Sequence, residues 1–516
     1  MLDKDDGFLP AGMSSFDCEH QPEKIAIVSD GSSFTYAQLR KRVQTISRFL
    51  NSRRPGAATA ALFLRSGVDL ISAYLACLNS GASAVPINPR STVSELEYLL
   101  ANTEATLLLV HRDQHLHLSR ALSSVHTGLI VSIEDILEMA DSGALEQQPQ
   151  TRQAAADSKC AVIFHTSGST ERPKGVMYAE KTLMNAVRPF LSKPFVDRYG
   201  TAGSDFVYLS TASVSDTVGI IHILWTLILG GTAVVMQSFD VDRYIDALVH
   251  HRPTHSTLFL PQVAKLLSCN RLKRQHFDSV RVLFFAGDRT PVGMIQRWIR
   301  STGIVPLIGY GLTESFVVTL NLSQSPAKFG SIGQPVEGVT LKIVNENDDP
   351  TPPGLPGEIV VTSPQNMIGY WREPEETNRV CSTSNWLRTG DLGYFDEEGF
   401  VWFVGRKKQI IIRGGENISP LEIEHVLQLH PAVSLACVVG FPHPIEGEVP
   451  QAFLVFRDGC VASEADLRAH VAEYLIDFKI PTDFRIVESL PTTRTGKIDR
   501  QNLRAQLIDD KGHFRT

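Results

Sequence analysis

Apolar and polar positions along this chain change in blocks. Ile25-Ala26-Ile27-Val28 is a short apolar run, and Asp30-Gly31 behind it predicts a hairpin turn. From Thr35 the apolar positions fall at helical spacing through Leu39, Val43, Ile46 and Leu50, with Thr35 placed to cap the helix. The same exchange then repeats. Residues 59–64, 84–87 and 106–110 read as strands, and 69–80 and 91–102 as helices. Short strands with helices between them predict parallel α/β layers. Residues 137–158 are rich in Ala, Gln, Ser and Asp and read as a surface connection. Further buried strands are expected at 161–164, 257–260 and 282–285. Near 340–344 the pattern turns strand-rich, with Pro352-Pro353-Gly354 and Pro356-Gly357 turns, and predicts a β-subdomain. After Gly405 about a hundred residues carry a small α+β pattern.

One stretch imitates a membrane span. Val218 to Met236 carries no formal charge, which is long enough to cross a bilayer. Gly230-Gly231 interrupts it, and Thr232 to Met236 is β-rich. The expected reading is a buried helix, a glycine cap and a buried strand, with no membrane span.

With 516 residues the chain is too long for one ordinary core, and 43% hydrophobic residues can fill at least two. The net charge of -7 leaves no basic field to hold nucleic acid. Seven scattered cysteines show no CxxC spacing, and the N-terminus, Met1 to Asp6, is acidic without an apolar core. A cytoplasmic location is the expectation.

Candidate chemistry begins at Thr166-Ser167-Gly168-Ser169-Thr170-Glu171-Arg172-Pro173-Lys174-Gly175, directly after an apolar strand. Glycines let backbone N–H groups approach an anion, hydroxyls donate to phosphate oxygens, and Lys174 adds a point charge. The spacing is not that of a Walker loop. In Gly309-Tyr310-Gly311-Leu312-Thr313-Glu314, an aromatic between glycines suits stacking on a purine. Thr313 can donate to a phosphate, and Glu314 is the kind of oxygen ligand Mg²⁺ takes beside phosphates. Alone, the stretch could equally be a strand-to-helix turn. Thr389-Gly390-Asp391 offers a carboxylate for vicinal hydroxyls, or an ordinary Asx turn.

Taken with Gly405 to Glu424 and with Thr495-Gly496-Lys497-Ile498-Asp499-Arg500, these stretches in this order resemble the adenylate-forming, AMP-binding superfamily. The likeness covers residues 25 to about 500 and is nearest to acyl- and aryl-CoA synthetases. It implies a large N-terminal adenylating domain, residues 1–405, and a small mobile α+β domain, 406–516. It implies ATP and Mg²⁺ as cofactors, a small carboxylic acid as substrate, and CoA or a carrier-protein phosphopantetheine as acyl acceptor. The implied reaction is activation of the acid to an acyl-adenylate with release of pyrophosphate, then transfer to a thiol. A stand-alone enzyme that loads a carrier protein is the alternative.

Residue by residue, the resemblance gives phosphate contacts to Thr166, Ser167, Gly168, Ser169, Thr170 and Lys174, and an adenine-contacting turn to Gly287 and Asp288. It gives adenine stacking to Tyr310, flanked by Gly309 and Gly311, the α-phosphate to Thr313, the metal to Glu314, and the ribose to Asp391 and Arg406. Lys408 falls at the hinge, Gly414 and Gly415 line a channel for the thiol, and Lys497 bridges substrate carboxylate and phosphate. Thr166, Lys174, Glu314 and Lys497 form the catalytic set. Glu171 departs from the glycine usual in relatives, and a carboxylate there would repel polyphosphate.

The family's acid pocket opens beside Leu209 to Thr217. The aromatic-His pair common in relatives is absent, and Ser215 or Asp216 falls at its place, depending on alignment. Asp216 has two readings, a pocket carboxylate or the N-cap of the apolar helix that follows. Trp225, Phe316 and Val317 are the other expected pocket residues, and the bulk of Phe316 favours a short or flat acid.

Overall fold

The computed structural model describes residues 21–53, 59–123, 128–141, 160–166, 173–200, 205–382, 384–493 and 497–511. Two large sheets form the body. The first runs, edge to edge, through Gln334–Pro335, Ser315–Asn321, Leu307–Leu312, Val282–Ala286, His255–Phe259, Val207–Ser210, Thr232–Val235, Ile25–Ser29 and Ser32–Thr35. Its inner pairs are parallel, as short strands joined by helices require. The second holds Gly369–Tyr370, Gly175–Ala179, Cys160–His165, Ser83–Pro86, Thr59–Leu62, Leu107–Val110 and Leu129–Ser132.

Two helices are apolar over most of their surface because they lie in the core between these sheets. They are Val68–Ser80 and Thr217–Ile228, and residues of both join strand residues in one hydrophobic cluster. This explains the uncharged stretch after Asp216: a buried helix, then Gly230 at φ +66°, then the strand Thr232–Val235. Among the described residues no helix is long and apolar enough to cross a membrane.

The expected β-subdomain is a four-stranded antiparallel sheet of Thr340–Val344, Gly357–Thr362, Leu387–Phe395 and Val401–Arg406. Strand membership then changes. A 3-10 turn, Lys407–Gln409, follows Arg406, and Ile411–Arg413 opens a five-stranded sheet with its own core around Ile423, Val438 and Leu454.

The expected surface connection at 137–158 begins differently. Ile133–Asp141 is a helix, whose Ile133 and Ile136 are fully buried. Four apolar positions at helical spacing outweighed the polar composition that follows. Residues 142–159 lie outside the described residues.

Candidate active site

Leu307–Leu312 turns through Thr313 and Glu314 into Ser315–Asn321, so this motif is a β-hairpin and not a strand-to-helix turn. The glycines are required by packing. A Cβ on Gly311 would stand 1.7 Å from the Phe316 carbonyl oxygen, and one on Gly309 would stand 2.8 Å from the Leu320 side chain. The turn is pinned from the neighbouring sheet: the Tyr178 hydroxyl donates to the Thr313 carbonyl, and the Met367 N–H donates to the Glu314 carbonyl at 2.9 Å.

The adjacent antiparallel pair sets the rest of the nucleotide side. Asp391 and Arg406 are register partners, and Arg406 Nε lies 3.1 Å from Asp391 Oδ1. The Tyr310 hydroxyl donates to Asp391 Oδ2 at 2.7 Å. Burial pushes the Asp391 carboxyl up, and Arg406 and the Tyr310 hydrogen bond oppose this. Asp391 presents one buried carboxylate to both partners, and vicinal hydroxyls could take their place. Gly287 has φ +99°, and a Cβ there would clash with the Phe259 ring at 2.7 Å, so the turn before Asp288 can be made only by glycine.

On the phosphate side the described residues begin and end the loop. The Thr166 N–H donates to the Lys174 carbonyl at 3.0 Å, and the Lys174 N–H to Thr166 Oγ1 at 3.3 Å, so the loop is closed at its base. Ser167, Gly168, Ser169, Thr170 and Glu171 lie outside the described residues. Lys174 Nζ is 2.5 Å from Glu376 Oε1 and 5.4 Å from the centre of the Tyr370 ring. The Tyr370 hydroxyl donates to Glu314 Oε1 at 2.8 Å. Tyr370 therefore stands between the loop lysine and the Glu314 carboxylate.

The acid side is lined by hydroxyls. Ser66, Ser213 and Ser215 form a chain with Oγ–Oγ separations of 3.3 and 2.7 Å. Asp216 occupies the N-cap position, and its carbonyl accepts from the Ile220 N–H, but its side chain makes no capping bond. Burial pushes its carboxyl up to about 7, against the pull of Lys497 and Arg90. The Asp216 backbone thus caps the helix, while its carboxylate makes no cap and lies within electrostatic range of two cations. The Phe316 ring packs 4.4 Å from Tyr178, and Val317 lies beside it with its N–H on Gln365 Oε1 at 3.0 Å. Trp225 is a correction. It is fully buried and stacks on Phe190 among Phe206, His255 and Phe284, so it fills the core and lines no open pocket.

The small domain brings one candidate to this place and leaves another outside. The Thr493 N–H donates to the Lys497 carbonyl at 2.7 Å, and Thr492 bridges to Ile498, which closes the loop that presents Lys497. The Lys497 ammonium faces Asp216 on the acid side and Asp288, Asp391 and Glu314 on the nucleotide side, with Arg406 opposing. Burial and Arg406 pull its pKa down, and the three nucleotide-side carboxylates pull it back. Gly414 and Gly415, at φ +58° and +91°, form an exposed turn with open space where side chains would be. Its contact is within the small domain, from the Gly414 N–H to the Glu446 carbonyl at 2.8 Å. Lys408, in the turn between the sheets, lies within electrostatic range of Asp391.

Sequence reading missed Tyr370, Glu376, Ser66 and Arg90. Each lies far along the chain from the motif it serves. The one local signal was Pro374-Glu375-Glu376, an acidic helix start after a Gly-Tyr pair.

A single fixed residue of the Asp/Glu type beside the phosphate loop suits Mg²⁺, which is held by one or two carboxylates with substrate phosphates supplying the rest. Among the described residues no group of three His, Cys, Asp or Glu side chains could hold a metal alone.

The family description "AMP-binding enzyme" matches residues 16–371, and "AMP-binding enzyme C-terminal domain" matches 422–497. The chain is 31% identical to a feruloyl-CoA synthase of an Amycolatopsis species, over 94% of this chain and 96% of that one. It is 28% identical to a fatty acid–[acyl-carrier-protein] ligase of Streptomyces coeruleorubidus, over 96% of each. ATP-bound MatB from Rhodopseudomonas palustris superposes with a TM-score of 0.86 at 27% identity, covering 94% of this chain and 96% of that one.

Proposed function

The chain belongs to the AMP-binding enzyme family and is an AMP-forming acid–thiol ligase, and from that premise we propose how its own residues divide the work. Such an enzyme activates a carboxylic acid with ATP to an acyl-adenylate, releasing pyrophosphate, and passes the acyl group to a thiol. The finer reading is CoA as the thiol. The observation that carries the division of labour is the position of Lys497, between Asp216 on one side and Asp288, Asp391 and Glu314 on the other.

Attack of a carboxylate on an α-phosphate brings two anions together, and charge builds on phosphorus as the bond forms. A fixed cation at that point is stabilising in the transition state more than in the ground state. Lys497 supplies it. Lys174 takes the departing phosphates, Thr313 donates to the α-phosphate, and Asp391 with Arg406 holds the ribose beside Tyr310. Glu314 would hold Mg²⁺, which offsets charge on the phosphate oxygens when bound. Transfer to the thiol then needs a narrow path for a pantetheine arm. Gly414 and Gly415 would line it after the small domain turns about residues 407–410.

The test is carboxylate-dependent ATP–pyrophosphate exchange with Mg²⁺ across a panel of short, flat and polar acids. Release of ADP and phosphate without AMP would refute it. The carrier-protein relative motivates a second acceptor, and product analysis with CoA and with a phosphopantetheinylated carrier separates the two.

A further inference from the structure

Residues of the helix Val292–Thr302 of the large domain and of the helix Pro420–Leu429 of the small one line a common cleft. This cleft, of about 430 Å³, opens at the seam of the two domains. Arg297, Arg300 and Gln296 line it from the large domain, and Arg457 and Gln428 from the small one. Arg297 and Arg300 stand three residues apart, so they leave the helix on one face. Gly293 keeps that wall low, since a Cβ there would meet nothing within 4 Å.

Arg457 Nε donates to the Pro431 carbonyl at 2.8 Å, which orients its planar fork and uses one of five donors. Among the described residues no acidic side chain pairs with any of the three arginines. Burial, then Arg297 and Arg300 opposite, push the Arg457 pKa down. Three uncompensated guanidiniums across a seam run against a chain whose net charge is -7. An anion between them would be attracted by all three.

We propose that this seam is a binding site for a phosphate-class oxyanion, held by guanidiniums from both domains and by the amides of Gln296 and Gln428. Arginine forks match the edges of such anions and can bind them in bidentate fashion. The cleft has more room than a lone phosphate fills, so a phosphate ester on a larger molecule also fits the chemistry. The walls belong to different domains, so the site is complete only in this arrangement. A ligand touching both walls therefore stabilises the arrangement by mass action. The site is separate from the Lys497 reading, and its test is binding and not turnover.

Inorganic phosphate is titrated calorimetrically into the full chain at constant ionic strength, with chloride balancing it. Lys174→Ala is carried throughout to weaken binding at the phosphate loop. The expected result is a saturable component that weakens at least about tenfold, or 1.4 kcal/mol, in Arg457→Gln and in Arg297→Gln/Arg300→Gln. Melting temperatures in chloride alone should match the parent and show that the variants fold. Adenosine 3′,5′-bisphosphate then assigns the source. Binding about tenfold tighter than phosphate assigns a phosphate ester, and equal or weaker binding assigns a free oxyanion. Equal affinity in parent and Arg457→Gln, or a response that never saturates and follows ionic strength alone, overturns the proposal.

Discussion

Two loops of the small domain invite comparison. The loop that closes through Thr492 and Ile498 presents Lys497 to carboxylates on the loops of the first large sheet, Asp216, Asp288 and Glu314, and to Asp391 of the β-subdomain. The Gly414–Gly415 turn is exposed, and its Gly414 N–H donates to the Glu446 carbonyl of its own domain. One domain thus carries two pieces of candidate machinery, and this arrangement uses one of them. In the proposed reaction a cation between acid and nucleotide would serve bond formation at phosphorus, where anions must be brought together. In the same reaction a bare glycine turn would serve passage of a neutral arm, and it stands idle while the lysine is docked.

The largest effect should come from removing the docked loop's cation. Lys497→Ala should lower pyrophosphate exchange by about 10²–10³-fold, the usual cost of losing a donor aimed at developing charge. Thioester formation from a supplied acyl-adenylate should persist. Equal loss in both half-reactions would break the comparison.

The opposite lesion is Gly415→Leu. At φ +91° a side chain is strained by about 1–2 kcal/mol, yet nothing lies within 4 Å to clash, so the fold should hold. Thiol transfer should fall by about 10²-fold, the order expected when reacting groups are displaced by about an ångström. Pyrophosphate exchange should stay near the parent value. Loss of exchange instead would show that the turn acts in the first step.

A smaller effect sharpens the phosphate side. Glu376 holds Lys174 and also pairs with Arg379, so it orients the lysine. Glu376→Gln should raise KM for ATP by about 3–10-fold, within the coupling range of neighbouring charged groups. In a Lys174→Ala background the same change should do almost nothing. A lower KM would mean that the carboxylate competes with phosphate for the lysine.

The sequence made the nucleotide side legible because each motif there is local. Gly309 to Glu314 is one turn, and Asp391 and Arg406 face each other across a hairpin whose register follows from its own pattern. The acid side was less legible. Asp216 could be placed at a helix start, but its facing cations come from Arg90 and Lys497, 126 residues before and 281 residues after it by number. Trp225 read as a pocket residue because it follows the pocket segment by half a helix. The aromatic cluster that encloses it, Phe190, Phe206, His255 and Phe284, gathers from four separate stretches of chain and appears only on folding. Glu376 was missed for the same reason, since its partner lies 202 residues away.

The smallest effect tests whether the lysine is docked in solution. The Asp216 carboxyl stands at about 7 in the folded chain, against about 3.9 when unfolded. Between those values the folded chain holds a proton that the unfolded chain has lost. Stability contributed by this group therefore falls as pH rises from about 4 to about 7. Asp216→Asn removes that slope, so the variant should gain on the parent by about 1–3 °C in Tm as pH goes from 5 to 8. Lys497 lowers the Asp216 pKa by standing beside it. Lys497→Ala should then push the carboxyl higher, steepen the fall in Tm and carry it to higher pH. Removing a cation from the exposed turn's side of the domain, as in Arg413→Gln, should leave the Asp216 slope unchanged, because Arg413 pairs with Glu446 and not with Asp216. Tm profiles of the four proteins over pH 5–8 decide the matter. If Lys497→Ala reproduces the parent profile, the lysine does not rest against Asp216 in solution, and the contrast between the two loops does not describe the resting enzyme.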